Sequence, residues 1–177
     1  MFVCLWLTLG RTKEPSVQFK LVEEHILALR TDLYRTLSKV IVYVERNLGF
    51  EAEHHKHALD TIPGVEFYMD NKAGRVGIVT TNDTKHAMAT LLNTMLRERR
   101  VHVHPKVHSR DVPGAKTRLR DQLGIYSYQY KQAVNTFGTD RVALSGKVGG
   151  MKDDLCICLQ LGVYWTSVEI AKRQLQQ

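Results

Sequence analysis

Residues 145–155 read Ser-Gly-Lys-Val-Gly-Gly-Met-Lys-Asp-Asp-Leu, a glycine-rich turn followed by two adjacent carboxylates. The apolar residues that follow predict a helix over 153–175, so the turn delivers Asp153 and Asp154 to the start of that helix. A short strand is predicted immediately before the turn, over 140–144. The stretch is therefore a strand, a tight turn and a helix whose first turn is acidic.

A second acidic position follows an apolar run further upstream. Residues 39–44 read Lys-Val-Ile-Val-Tyr-Val and are followed by Glu45. β-branched residues at this density predict a buried strand, and open α/β sheets place their sites at the carboxyl ends of strands. Hard cations such as Mg²⁺ and Mn²⁺ prefer carboxylate oxygens. Acidic side chains at a strand end and at a helix start therefore predict a site for a divalent metal ion.

The rest of the chain alternates between predicted strands and predicted helices. Strands are predicted over 1–9, 39–45, 65–69, 101–104 and 140–144, and helices over 17–37, 51–60, 82–99, 111–123 and 153–175. This alternation is typical of an α/β layered domain. The chain of 177 residues is long enough to bury one core, and we expect a single domain over residues 1–177.

Charge and cysteine content narrow the class of protein. Lys and Arg total 25 against 18 Asp and Glu, a net charge of +7, which favours a polyanionic partner such as nucleic acid over a merely basic surface. Three cysteines in apolar settings indicate a reducing, intracellular compartment without a disulfide framework. The apolar opening stretch, residues 1–9, is too short to span a bilayer, so no membrane partner is expected.

Three short motifs together resemble a known family. They are Val-Tyr-Val-Glu-Arg-Asn at 42–47, Thr-Thr-Asn-Asp-Thr-Lys at 80–85, and the Ser-Gly-Lys and Asp-Asp-Leu within 145–155. Their order resembles, over nearly the whole chain, the C-terminal nuclease domain of the large subunit of viral DNA-packaging terminases, most closely the herpesvirus type. The strand motif of that family reads V-x-V-E-G-N, and here Arg46 replaces the glycine.

The resemblance implies an α/β, ribonuclease-H-like mixed sheet flanked by helices, and an endodeoxyribonuclease. Such a domain cuts concatemeric double-stranded viral DNA during genome packaging by two-metal phosphodiester hydrolysis, with two Mg²⁺ or Mn²⁺ ions serving an in-line displacement. It implies that Glu45, Asp153 and Asp154 are the catalytic residues and the metal ligands. Asp154, and the acidic pair as a whole, have an alternative role in stabilising the helix N-terminus.

The resemblance also implies partners and a location. The partners are double-stranded DNA, other terminase subunits and the capsid portal, and the location is the host nucleus. Basic residues expected to contact the DNA backbone are Lys85, Lys147, Arg97, Arg100 and Lys116. For each of them, a solvent-exposed position without a ligand is the alternative.

Two departures from the family pattern bear on activity. The family carries an aspartate on its first strand, whereas this chain has no Asp before Asp32, so we expect a ribonuclease-H-like domain that lacks its first strand. A phosphate-binding Gly-x-x-x-x-Gly-Lys motif is absent, because Arg141 stands at the position of its first glycine, so no ATPase domain is expected. The alternatives are a catalytically inactive fragment that binds DNA or a partner protein, and another ribonuclease-H-like nuclease or resolvase.

Overall fold

The computed structural model describes residues 14–28, 30–31, 39–45, 53, 56–57, 59–70, 75–102, 119–131, 141–147 and 153–175. Within these ranges the fold is mixed α/β, with four α-helices and six short strands. The chain divides into two compact units, whose described parts are residues 14–80 (the N-terminal unit) and 81–175 (the C-terminal unit). The single domain over residues 1–177 stays a prediction.

The N-terminal unit contains one helix and four strands. Helix α1 is Pro15–Ala28; strand β1, Val40–Val42, pairs in parallel with β2, Val65–Phe67; and β3, Met69–Asp70, pairs antiparallel with β4, Arg75–Val76. Apolar side chains of these elements and of the turn before β2 form one buried cluster, made of Ile26, Leu59, Ile62, Val65, Phe67 and Val76. Burial of such side chains is the main source of stability for sheets this short.

The chain continues beyond β1 in extended form as far as the acidic residue singled out in the sequence. The Tyr68 N–H donates to the Val42 carbonyl at 3.0 Å, and the Ile78 N–H donates to the Val44 carbonyl at 2.8 Å. Glu45 and Ile78 form an isolated parallel bridge. The predicted strand over 39–45 is thus regular in its first half and held by single contacts in its second half.

The C-terminal unit packs three helices together with a hairpin. Helices α2, α3 and α4 are Asn82–Arg97, Leu119–Ile125 and Asp154–Gln174, and strands β5, Ser127–Lys131, and β6, Arg141–Ser145, pair antiparallel. The helices share a buried cluster of Leu92, Leu119, Leu159 and Val163, against which Met95, Val101, Leu123 and Leu155 pack. This cluster fixes α3 on α4, and that contact matters for the site described below.

Hydrogen bonds outside the regular helical pattern satisfy both ends of α2. Thr81 is the N-cap, and its hydroxyl accepts a hydrogen bond from the Thr84 N–H at 3.2 Å. At the other end, Arg99 has a positive φ of 55°. The Arg99 and Arg100 N–H groups donate to the carbonyls of Leu96 and Met95, which satisfies the last turn of the helix.

Some sequence predictions were wrong or fall outside the described part of the chain. Residues 101–102 form no strand, and residues 103–104 of that predicted strand lie outside the described residues. The predicted first strand, residues 1–9, also lies outside them. Strand pairs of the described residues make three two-stranded sheets, so the broad α/β class is confirmed, while a single ribonuclease-H-like sheet stays a prediction. Among the helices that the structure describes, none combines the length and apolar composition needed to cross a membrane.

Candidate functional site

Asp153, the residue that we expected to bind metal, is a buried carboxylate at the junction between a turn and a helix. It precedes α4 and is 5 % exposed. Its Oδ2 accepts a hydrogen bond from the backbone N–H of Gly146 at 3.0 Å, which ties the start of α4 to the end of β6. A buried ionised carboxylate is costly unless hydrogen bonds or opposite charges compensate it. The two ends of the motif at 145–155 are thus in direct contact, through the hydrogen bond from Gly146 to Asp153.

The side chain of Asp153 makes no capping hydrogen bond to its own helix. The N–H groups of Leu155 and Cys156 instead donate to Oε1 of Gln122 on α3, at 2.8 and 3.1 Å. Asp153 therefore does not cap the helix through a side-chain hydrogen bond, and the alternative role left to it is the interaction of its charge with the helix N-terminus. Sequence reasoning missed Gln122, because its partners lie 33 and 34 residues further along the chain and no local pattern marks it.

A basic residue stands beside the same carboxylate. Nζ of Lys147 lies 3.8 Å from Oδ1 of Asp153, and the lysine side chain is 65 % exposed while that of Asp153 is 7 % exposed. The Lys147 N–H donates to the Ser145 hydroxyl at 3.1 Å, which holds the turn that carries the lysine. An ion pair with one exposed partner contributes little to stability. The lysine therefore supplies a positive charge at the site more than it supplies stability.

The negative charge of Asp153 also affects the pKa of the buried thiol of Cys156. Burial raises the pKa of Cys156 from 9.0 to about 12; the hydrogen bond from Gln160 opposes this rise, and the nearby Asp153 charge adds to it. Cys156 is fully buried on α4, as expected from the sequence, and Cys158 is half-buried. A thiol with so high a pKa is protonated near neutral pH, so Cys156 is a packing residue and not a nucleophile.

Gly146 is required for the close approach of β6 to the start of α4. A Cβ at this position would lie 3.0 Å from the Cβ of Asp153, and 3.6 Å from side-chain carbons of Ile125 and Tyr126. Real Cβ contacts are rarely that short, so either Asp153 or the backbone must shift to admit a side chain. A glycine is thus favoured at this position of the Ser-Gly-Lys motif because a larger residue would clash with Asp153.

We expect Gly146→Ala to destabilise the protein by about 1–2 kcal/mol through this overpacking. Gly124→Ala is the matched control: Gly124 lies in α3 with nothing within 4 Å of an added Cβ, and alanine is favoured over glycine in helices. Urea unfolding followed by circular dichroism measures both variants. An unchanged midpoint for Gly146→Ala would contradict the steric argument.

Glu45, the other predicted ligand, belongs to the N-terminal unit and is half-buried. Its Oε1 accepts a hydrogen bond from the hydroxyl of Thr80, a buried residue directly after the segment that bridges to Glu45. One carboxylate oxygen is thus oriented by a neighbouring strand segment. Asp153 and Asp154 belong to the C-terminal unit.

The remaining predicted site residues have simpler surroundings. Asp154 is the first residue of α4 and is exposed. Lys85 lies half-buried in the first turn of α2, and Arg97 and Arg100 are exposed at its other end, where Arg100 forms an ion pair with Glu98 at 3.2 Å. Lys116 lies outside the described residues. Within the described ranges, no group of three or more His, Cys, Asp or Glu side chains is placed to hold a metal ion.

Comparisons with protein-family models, with curated proteins and with solved structures find no match to this chain.

Proposed function

We propose that this chain is a metal-dependent endonuclease domain of the terminase type, with a ribonuclease-H-like fold, that cuts concatemeric double-stranded DNA during viral genome packaging. The support is the set of three motifs at 42–47, 80–85 and 145–155, together with the surroundings of Asp153. Under this proposal the whole chain is one nuclease domain, its site residues are Glu45, Asp153 and Asp154, and its cofactor is Mg²⁺ or Mn²⁺.

The observation that carries the proposal is a buried carboxylate that its own helix does not use. Asp153 is 5 % exposed, and the first-turn donors of α4 are occupied by Gln122. The Gly146 N–H occupies Oδ2 and leaves Oδ1 facing the Lys147 ammonium. A buried side chain that departs from its ordinary local role is more expected at a functional site than elsewhere.

The donor type fits the proposed cofactor. Carboxylate oxygens suit Mg²⁺ and Mn²⁺, and Mg²⁺ in particular is commonly bound by one or two protein carboxylates, waters and substrate phosphates. The carboxylates of Glu45, Asp153 and Asp154 are the proposed ligands, as the resemblance of the motifs implies. When bound, such ions supply an activated water and stabilise the leaving oxygen of the phosphodiester.

The residues of this chain have separate roles in this proposal. The Gly146 N–H fixes the orientation of the Asp153 carboxylate, and the Thr80 hydroxyl fixes that of Glu45. The ammonium of Lys147 can exchange its contact with Oδ1 for a contact with a DNA phosphate, because its side chain is 65 % exposed. Asp154 remains either a ligand or a charge that stabilises the helix N-terminus.

DNA is the proposed substrate partly because of charge. The chain carries a net charge of +7, and Lys85, Lys147, Arg97, Arg100 and Lys116 are proposed to contact phosphates. Phosphate contacts give sequence-independent binding that weakens as salt rises. Other terminase subunits and the capsid portal are the further proposed partners, and the host nucleus is the proposed location.

Plasmid cleavage tests the proposal. We expect the whole chain to nick or linearise supercoiled plasmid in Mn²⁺ and to lose this activity when the ion is chelated. Glu45→Gln should lower the rate about 100-fold, because a lost ligand forfeits several kcal/mol of charge stabilisation. The control is Glu66→Gln, which removes an exposed strand carboxylate paired with Lys39. Absence of cleavage, or equal rates for Glu45→Gln and Glu66→Gln, would contradict the proposal.

A further inference from the structure

The first turn of α4 is capped from another helix. With Asp153 as N-cap, Leu155 and Cys156 occupy the second and third helical positions, whose N–H groups an N-cap aspartate ordinarily binds. Both groups donate to Oε1 of Gln122 instead. Asp153 thus occupies the N-cap position, while the side chain of Gln122 accepts the hydrogen bonds that an N-cap aspartate usually accepts.

We propose that Gln122 is a positioning residue for Asp153. Gln122 accepts the hydrogen bonds of the Leu155 and Cys156 N–H groups, so the Asp153 carboxylate is not needed as their acceptor. The carboxylate accepts from the Gly146 N–H instead. The value of that orientation for metal binding rests on the function proposed above. The positioning of Asp153 by Gln122 does not depend on that function, because it is inferred from the hydrogen bonds of Gln122 and Asp153.

Packing holds Gln122 in this role. Its side chain is 2 % exposed, and its neighbours Leu119 and Leu123 on α3 pack in the same cluster as Leu155 and Leu159 on α4. A neutral amide oxygen is also a suitable acceptor here, because the Asp153 charge already lies at the positive end of the helix dipole. Gln122 therefore satisfies the helix without adding a second buried charge.

Loss of the Gln122 oxygen would leave two donors without their acceptor. Buried N–H groups without a partner are costly, and the Asp153 carboxylate is the nearest ordinary cap in sequence. We expect it to turn toward Leu155 and Cys156 and to release the Gly146 N–H. Gln122→Met removes the oxygen and keeps much of the side-chain shape.

Amide hydrogen exchange in the whole chain tests this exchange of roles. In Gln122→Met, the Gly146 amide should exchange at least about tenfold faster while the amides of Leu155 and Cys156 stay protected. The matched control is Gln160→Met, the same substitution at a glutamine of α4 that is also 2 % exposed and that donates to the Cys156 sulfur. Unchanged exchange at Gly146, or equal acceleration at all three amides, would overturn the proposal.

A second variant keeps the test decisive if Gln122→Met does not fold. In Asp153→Ala the cap from Gln122 remains, so only the Gly146 amide should exchange faster. Faster exchange at Leu155 and Cys156 in this variant would show that Asp153 caps α4 itself, and would overturn the proposal.

Mn²⁺ affinity, measured by calorimetry, separates this inference from the proposed function. We expect Gln122→Met to bind Mn²⁺ about tenfold more weakly than the unmodified chain, as is typical when a group that orients a metal ligand is lost, and Gln160→Met to bind it unchanged. If Asp153→Asn binds Mn²⁺ as tightly as the unmodified chain does, the proposed metal site fails, and the exchange pattern still decides the role of Gln122. If Asp153→Asn weakens binding but Gln122→Met does not, positioning by Gln122 is overturned.

Discussion

Asp153→Asn should lower Mn²⁺-dependent plasmid cleavage by about a thousandfold, which corresponds to ~4 kcal/mol of transition-state stabilisation. The substitution removes the charge that would bind the ion but keeps an oxygen that can accept from the Gly146 N–H, which Asp153 binds at 3.0 Å. The fold should therefore persist, with a change in the free energy of unfolding of about 1 kcal/mol or less. Initial rates of plasmid nicking, beside an unfolding curve, measure both quantities.

The neighbouring carboxylate provides the control for this prediction. Asp154→Asn makes the same chemical change one residue later, at an exposed position in the first turn of α4. If Asp154 only interacts with the helix N-terminus, we expect a loss of about fivefold or less, since such an interaction contributes ~1 kcal/mol at most. A loss as large as that of Asp153→Asn would assign Asp154 as a ligand. A full rate for Asp153→Asn would exclude Asp153 from the reaction.

Leu159→Ala should cost about 3 kcal/mol in the free energy of unfolding, the largest effect on stability that we expect from a single truncation in the C-terminal unit. Leu159 is 1 % exposed and packs with Leu92 of α2, Leu119 of α3 and Val163 of its own helix. Because three helices meet at this side chain, the surrounding atoms cannot all move to fill the space that is left. Urea unfolding measures the loss, and the melting temperature should fall by roughly 6–12 °C for a protein of this size.

An exposed leucine at the end of the same helix is the matched control. Leu175 is 88 % exposed, so Leu175→Ala should change the free energy of unfolding by about 0.5 kcal/mol or less. If the two leucine variants unfold at the same urea concentration, Leu159 does not hold the helices together.

Predictions from the sequence were confirmed where the determining signal is local. Helix α2 starts at Asn82, and α4 starts directly after Asp153. Capping and helical periodicity act over three or four residues, so the chain itself contains the evidence for them. The parallel pairing of β1 with β2 needed more than this, because the two strands meet across more than twenty residues of chain.

Strand β5 was missed for a physical reason. Tyr128 and Tyr130 are 58 % and 65 % exposed, and Gln129 between them is half-buried. The usual alternation, apolar inward and polar outward, is therefore reversed, so the pattern of residues does not indicate a strand here. The pairing of this segment with β6, the next strand along the chain, comes from backbone hydrogen bonds, about which the side-chain pattern of the segment gives no information.

The candidate site could be predicted only in part from the sequence, for a similar reason. The motif identified Asp153, but the sequence offered capping as its ordinary role, since an aspartate before a helix usually caps it. The acceptor that replaces it comes from Gln122 on another helix. Only the tertiary contact between α3 and α4 shows which of the two residues caps the helix.

The remote cap of α4 also has a consequence for the order of folding. Two donors of its first turn bond to a side chain 33 and 34 residues earlier in the chain, so this turn cannot complete its hydrogen bonds as an isolated segment. Helices are costly to nucleate, and the first turn contributes most of that cost. The start of α4, and with it the orientation of Asp153, is therefore expected to form late, after α3 has docked. The carboxylate would reach its final geometry only in molecules whose helical core is already assembled.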